Sequence, residues 1–486
     1  MPAERIQRLP SAILLKTLEL RETRLPAEKR LTREDLKRLC HEKPTLPQGI
    51  TPFDILVKTR DRQESISRDE MFGFVNGIVS GAVSTEQTAA WLGFVRLNGL
   101  TQRETVNLTL AMAASGEILD FDYLGNVADK HSSGGVGDKT TLVVAPLVAA
   151  CDVNVGKMSG KGLGHTGGTI DKLESIPGIS MQLDAQHFRN QLETIGIVIS
   201  GQSHDLAPAD GILYSLRDKT ATIDSIPLIA ASIMSKKIAS GANTLVLDVK
   251  VGKGAFMKTL EEAQELSRIM VDIGKAVGIH CIAEISDMNQ PLGNAVGNAL
   301  ELKEAIDTLK GNGPDDFKEH CIETAAEIVL LAGKAATHEE ARLLVEQQLG
   351  EDGRALQKFG EMIAAQGGDP NVLIDPDQLM PPARYQHAVV ANAEGYLSSM
   401  DPEMVGKTSM TLGAGRPTKD APVEDYAAGI MVSHKIGDRI HEGDVIFTIH
   451  TNDETRIADA EQALHNALSF SDEPVSPYPL RYDVIR

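Results

Sequence analysis

Ten glycines, at positions 134, 135, 137, 156, 160, 162, 164, 167, 168 and 178, fall within the 45 residues from Gly134 to Gly178, against 43 in all 486. Glycine at more than twice the average density weakens helices and strands, so the stretch must turn repeatedly and needs a reason to do so. The commonest reason is close approach of backbone N–H groups to an anion. The interleaved side chains fit that reason. Lys130, Ser132, Thr140, Thr141, Ser159 and Thr169 supply one ammonium and several hydroxyls, a donor set suited to phosphate, and no acidic pair for Mg²⁺ accompanies them. Gly134 through Thr140 narrowly misses the nucleotide P-loop: Lys139-Thr140 follow at a suitable spacing, but Asp138 stands where glycine is required, and its carboxylate would repel a triphosphate. The structural alternative is a turn-rich connection.

The length of 486 residues exceeds what one hydrophobic core supports, so two or three domains are expected. Residues 1–52 are rich in Arg, Lys, Glu and Leu and close on Pro44, Pro47, Gly49 and Pro52; they read as an N-terminal extension, partly helical. Ser84 with Gln87, and Thr101 with Glu104, form capping boxes before apolar-periodic runs that end near Gly99 and Gly116, which predicts a small helical unit over 53–117. From Val127 short apolar runs (Leu142–Val144, Ile197–Ile199, Leu245–Val249) read as strands alternating with helical patterns such as Leu260–Val277. That alternation predicts an α/β lobe on a mixed or mostly parallel sheet.

A charged helical stretch over 315–365 is broken at Pro381-Pro382. From 385 to 486 paired short strands around glycine turns (Gly395-Tyr396-Leu397, Ile436–Ile440, Gly443–Ile446) resemble a barrel-sandwich module of the lipoyl type. Lys435 lacks the flanking residues of a modification hairpin, so this β-rich C-terminal domain reads as structural.

The formal charge of -20 argues against nucleic acid and against an anionic membrane as partner. Cys40, Cys151, Cys281 and Cys321 are scattered without metal or disulfide spacing, which points to reduced, structural thiols. No run approaches the ~18 apolar residues of a membrane span, and the charged N-terminus does not read as a secretory signal; a cytoplasmic protein is expected.

Lys130-His131-Ser132-Ser133-Gly134-Gly135-Val136-Gly137-Asp138 and Ser159-Gly160-Lys161-Gly162-Leu163-Gly164-His165-Thr166-Gly167-Gly168-Thr169-Ile170-Asp171-Lys172-Leu173-Glu174 strongly resemble the thymidine and pyrimidine-nucleoside phosphorylase family. The resemblance continues through Tyr214–Asp218, Ser225–Lys237 and Asp248–Gly252, and it covers the chain from about residue 53 onward. It implies reversible phosphorolysis of a pyrimidine nucleoside, uridine or thymidine, with inorganic phosphate as co-substrate and no organic cofactor. It also implies one lobe from 53–117 and 209–242, a phosphate-binding lobe from 118–208 and 243–384, base and phosphate on opposite lobes that close, and a homodimer.

By the same resemblance, phosphate is held by Lys130, Ser132, Thr141, Ser159 and Thr169, and the base by Arg217, Ser232 and Lys236. The last two stand four apart in one periodic run, hence on one helical face. His131 is the expected proton donor to the departing base; a histidine that fixes the loop is the plain alternative. Lys157 matches a lysine of the broad-specificity enzymes and suggests use of both uridine and thymidine, since its amine can serve a 2′-hydroxyl. Lys161 replaces a common arginine and loses the bidentate fork. Potassium is implied at positions matching Gly137, Lys139, Leu292, Ala295 and Glu304, but Lys139 replaces the usual threonine, and an ammonium there could stand in for the ion by pairing with Glu304.

Four rivals remain, the first a thymidine-restricted phosphorylase, whose members often carry methionine at the position of Lys157. The nucleoside monophosphate branch carries a different segment in place of Gly162–Thr166. Anthranilate phosphoribosyltransferases share the fold and a glycine-rich loop but use Mg²⁺ and a pyrophosphate donor. A non-enzymatic nucleoside-binding regulator has no need of a placed proton donor.

Overall fold

The computed structural model describes residues 31–162, 167–201, 205–416 and 421–486. The Leu163-Gly164-His165-Thr166 part of the second motif and residues 1–30 of the extension lie outside these. The described residues form two compact units: one runs to Ile118 and includes the segment that ends at Ala239, and the other begins at Leu119 and resumes over Ser240–Arg486.

The first unit is helical. Helices Arg33–Glu42, Pro52–Asp61, Arg68–Ser80, Thr85–Asn98 and Gln102–Ala113 each open on a capping box, among them those expected at Ser84 and Thr101. Each box satisfies backbone N–H groups that the first turn leaves unpaired, worth about 1 kcal/mol. Two further helices, Pro208–Lys219 and Ile226–Ala239, complete the unit. Phe74 and Trp91 lie at its core, both 0% exposed, with ring centroids 5.4 Å apart.

The described part of the extension is built into this unit. Leu36 is buried, the Cys40 thiol donates to the Gly116 carbonyl at 2.7 Å, and a Cβ at Gly73 would fall 2.4 Å from the Leu46 nitrogen. Residues 45–46 therefore run directly against the helix Arg68–Ser80, in a contact that only glycine permits.

The second unit is built on a six-stranded sheet. Its strands are β1 (Val127–Ser132), β2 (Asn154–Ser159), β3 (Ile197–Gly201), β4 (Thr244–Val251) and β5 (His280–Asp287), with Arg481–Ile485 along one edge. The order is Arg481–Ile485, β5, β4, β1, β2, β3; the five numbered strands are parallel and the edge strand runs antiparallel to β5. β4 is buried at all eight positions, as a central strand covered on both faces must be. Leu260–Val277 is a helix, as its periodicity predicts.

Leu142–Val144 corrects one expectation. It lies not in a strand but in the helix Thr140–Ala150, every residue of which is buried. A helix apolar all round shows no 3.6-residue pattern, so a three-residue window of it looks like a strand.

From Tyr385 on, the chain supplies all but one strand of two small antiparallel sheets. Tyr385–Val390, Gly429–Val432, Val445–Thr451 and Ala295–Val296 make one; Gly395–Met400, Leu468–Ser471 and Arg439–Ile440 make the other. Their apolar faces join the core that carries the α/β helices, Phe447 and Val389 with Phe317 and Val329 among them. The architecture expected from the sequence is thus present, with helices, a mixed α/β sheet and a β-rich C-terminal part. Among the described residues no helix is long and apolar enough to cross a membrane.

Candidate active site

β1 delivers Lys130, His131 and Ser132 to the carboxyl end of the parallel sheet, beside Val246, Leu247 and Asp248 of β4. The chain then turns through Gly134 (φ 95°) and Gly137 (φ 70°), a left-handed conformation that favours glycine, and enters the helix Thr140–Ala150. A Cβ at Gly137 would meet the Leu292 carbonyl at 2.6 Å. Thr140 and Thr141 stand at that helix start, where N–H groups without helical partners suit an anion.

The charges here are buried and balanced. Lys130 is 3% exposed, and its ammonium lies 3.0 Å from Asp248 Oδ2 and 3.9 Å from Asp138 Oδ1, as ion pairs. Asp138 accepts hydrogen bonds from the Ser132 and Thr140 hydroxyls. Burial opposes both charges. The Asp248 and Asp138 carboxylates nevertheless hold the Lys130 ammonium above the ordinary lysine value, and Lys130 and Lys250 hold Asp138 far below that of aspartate.

Behind Lys130 sits a second layer that sequence reading gave no role. Lys250 Nζ lies 2.8 Å from Asp248 Oδ2 and 3.1 Å from His320 Nε2, and His320 Nε2 lies 3.0 Å from Asp248 Oδ2. Burial opposes the Asp248 charge, but Lys130, Lys250 and His320 keep its pKa well below the usual range. Asp248, Glu284 and His320 could offer ligand atoms within 4.8 Å of one another. The Lys250 ammonium already stands against two of the three, so the cluster is neutralised by the protein itself. Its signal was legible: Asp248 and Lys250 interrupt a run, Leu245–Val251, that is otherwise apolar apart from them.

Ser159 closes β2, paired with Gly201, and Thr169 opens the short helix Thr169–Leu173. Lys172 ties that segment to the first loop, donating to the Asp138 carbonyl at 2.8 Å and the Gly167 carbonyl at 3.1 Å, and lying 2.9 Å from Glu301 Oε2. Lys161 is 40% exposed and reaches Glu174 at 3.3 Å. The fork on this acidic pair comes instead from Arg416, which donates to Asp171 at 2.9 Å and to Glu174 at 3.2 Å. Sequence spacing could not find it, since 245 residues separate Arg416 from Asp171.

Lys157 is buried; its ammonium donates to the Lys130 carbonyl and lies 3.6 Å from Asp129 Oδ1. With Lys130, Thr141 and Val144 it lines a small cavity. His131 is half-buried at the end of β1.

Lys139 occupies the place where the resemblance implies potassium. Its fully buried ammonium donates to the carbonyls of Leu292 (2.7 Å) and Ala295 (3.1 Å) and pairs with Glu304. The Gly137 carbonyl accepts instead from the Lys139 backbone N–H at 3.0 Å. Carbonyls and carboxylate already converge on one nitrogen, so the residues present do not fit a potassium ion as well.

The residues expected to hold the base lie in the helical unit. Ser232 and Lys236 do share one face of the helix Ile226–Ala239: the Lys236 ammonium donates to Ser232 Oγ at 3.0 Å and to Asp210. Arg217 is 2% exposed. Its guanidinium donates to the carbonyls of Thr222 (3.4 Å), Leu228 (3.1 Å) and Ile223 (2.6 Å), and burial lowers its pKa.

Family models match along most of the chain. Residues 53–116 match the glycosyl transferase family helical bundle domain, 124–356 the a/b domain of that family, and 396–471 the pyrimidine nucleoside phosphorylase C-terminal domain. The pyrimidine-nucleoside phosphorylase of Geobacillus stearothermophilus is 48% identical over 433 residues, 89% of this chain and 99% of the relative. That of Staphylococcus aureus (strain N315) is 48% identical over 426 residues, 87% of this chain and 97% of the relative. The solved anthranilate phosphoribosyltransferase of Thermus thermophilus superposes with a TM-score of 0.53 at 17% identity, covering 64% of this chain and 99% of that one, a likeness of fold alone. Identity at this level across nearly the whole length of both relatives means that the chain belongs to the pyrimidine-nucleoside phosphorylase family.

Proposed function

We propose that the protein splits pyrimidine nucleosides with inorganic phosphate, reversibly, into free base and pentose 1-phosphate. The observation that carries this reading is the loop from Lys130 to Thr141, where a buried, carboxylate-balanced ammonium, hydroxyls and a helix start converge. Lys130, Ser132, Thr141, Ser159 and Thr169 hold phosphate, one oxygen of which forms the new bond to C1′ as the bond from C1′ to the base nitrogen breaks. The electron pair leaves with the base. Arg217, Ser232 and Lys236 grip the base rim and stabilise that developing charge, and His131 delivers the proton to the base oxygen.

Uridine and thymidine both serve as substrates. Lys157 influences the choice through Lys130 and Asp129, which its ammonium engages, rather than by direct contact with the sugar. Exposed apolar side chains on the helical unit, Phe53 (64%) and Leu97 (75%), support a homodimer, and the four free cysteines suit a cytoplasmic setting.

Product analysis tests the reading. With uridine or thymidine the protein releases base only when phosphate is present, and pentose 1-phosphate accumulates. Base release without phosphate would make it a hydrolase. In Lys157→Met, uridine turnover falls more than thymidine turnover; an unchanged ratio would remove Lys157 from the specificity account.

A further inference from the structure

The loop Pro291–Ala295 directs its carbonyls at two ammonium groups that belong to the chain itself. Lys139, on the candidate phosphate loop, takes Leu292 O and Ala295 O. Lys435, from the C-terminal part, donates to Pro291 O and Gly293 O and lies 3.0 Å from Asp316 Oδ2. Four carbonyls at successive or near-successive positions are thus shared between two tethered cations.

Around Lys139 the match is close to an inorganic site. Glu304 pairs with the ammonium and accepts from the backbone N–H of Asn294 (3.0 Å) and Ala295 (2.9 Å), fixing the same turn from the other side. The Phe317 ring lies 4.8 Å from the nitrogen, and a Cβ at Gly293 would come within 2.7 Å of it. Carbonyl oxygens with one carboxylate are hard ligands of the kind that bind a dehydrated monovalent cation. An ammonium and a potassium ion are alike in charge and close in size, but the ammonium is covalently tethered and cannot dissociate.

We propose that the Lys139 ammonium is a built-in monovalent cation: it locks the phosphate loop to Pro291–Ala295, makes the enzyme independent of potassium, and leaves a latent potassium site when removed. Burial of Glu304 gives the lock its strength, because removing the ammonium strands a buried carboxylate. The ion that enters then restores both the charge balance and the loop.

The test reads melting temperature and phosphate KM in potassium, rubidium, sodium, lithium and choline chlorides at equal ionic strength. The melting series stands even if the phosphorolysis reading fails; only the KM series rests on it. The wild-type protein is expected to be indifferent to the cation in both. Lys139→Ala in choline melts lower, and its phosphate KM rises about tenfold, equivalent to about 1.4 kcal/mol. Potassium or rubidium restores both to within about twofold of wild type on that same scale, and lithium does not. Lys139→Met loses as much but is not rescued, because its side chain still fills the space. If Lys139→Ala does not fold, Lys139→Thr, which adds one oxygen to the vacated site, takes its place in the series. A wild-type protein stabilised by potassium over choline, or an alanine or threonine variant blind to potassium, would overturn the proposal.

Discussion

The two sets of candidate site residues, one in each unit, handle their charges differently. In the α/β unit Lys130, Lys172 and Lys250 are at most 3% exposed and each faces a buried carboxylate, so positive and negative charge are locked together before any ligand arrives. In the helical unit Lys236 is 20% exposed, pairing with Asp210 and donating to Ser232 Oγ, and the Arg217 guanidinium donates to three neutral carbonyls. A fixed anion such as phosphate is served by the first arrangement, in which reorganisation is small. A base that becomes charged only as it departs is served by the second, in which Arg217 is held by carbonyls and Lys236, paired with Asp210, keeps part of its surface open.

The largest expected effect comes from Lys130→Ala. It removes the proposed phosphate cation and takes one buried ammonium from Asp138 and from Asp248, which keeps Lys250, so phosphate-dependent turnover falls by at least ~10³, and denaturant unfolding shows a loss of about 3 kcal/mol. Turnover within tenfold of wild type would remove Lys130 from the phosphate set. Lys236→Ala is next. It lowers nucleoside cleavage by about 10²–10³ while calorimetry finds phosphate affinity intact; an equal fall in phosphate affinity would break the division of labour between the units.

Acid titration sharpens the contrast. Asp138 and Asp248 have folded pKa values below the ordinary 3.8, so the stability they lend is complete above that value and is lost as the pH falls below it. Glu284 carries the opposite sign: burial raises its pKa, so its ionisation costs stability as the pH rises past the ordinary 4.5. Glu284→Gln should therefore flatten the stability profile above that pH, and Asp248→Asn should remove part of the acid limb. Profiles parallel to wild type in both variants would contradict the charge assignments. The smallest effect is expected for Arg217→Lys, which keeps the charge but loses part of the three-carbonyl brace, a loss of about 1 kcal/mol in stability. No change in unfolding midpoint would mean that the brace does little.

How much of this was legible in the sequence depends on range. Capping boxes at Ser84 and Thr101 and the helix Leu260–Val277 were readable because capping and periodicity act over three or four residues. Leu142–Val144 looks like a strand in sequence because complete burial of its helix erases the pattern that separates helix from strand. The Ser232–Lys236 pairing followed from helical spacing, whereas the partners that set the charge state came from far along the chain: Asp248 for Lys130, Asp210 for Lys236, Arg416 for Asp171. The sheet order brings Lys130 beside Asp248 by pairing β1 with β4, although β2, β3 and several helices lie between them in the chain. The Lys139–Glu304 pair was within reach because the resemblance had marked both positions, although spacing alone carries no sign of it.

The most direct test of the account follows inorganic phosphate itself by ³¹P resonance during incubation with uridine. The phosphate signal is expected to convert to ribose 1-phosphate one for one with released uracil, and Lys236→Ala to abolish the conversion. Uracil appearing while the phosphate signal stays constant would contradict it.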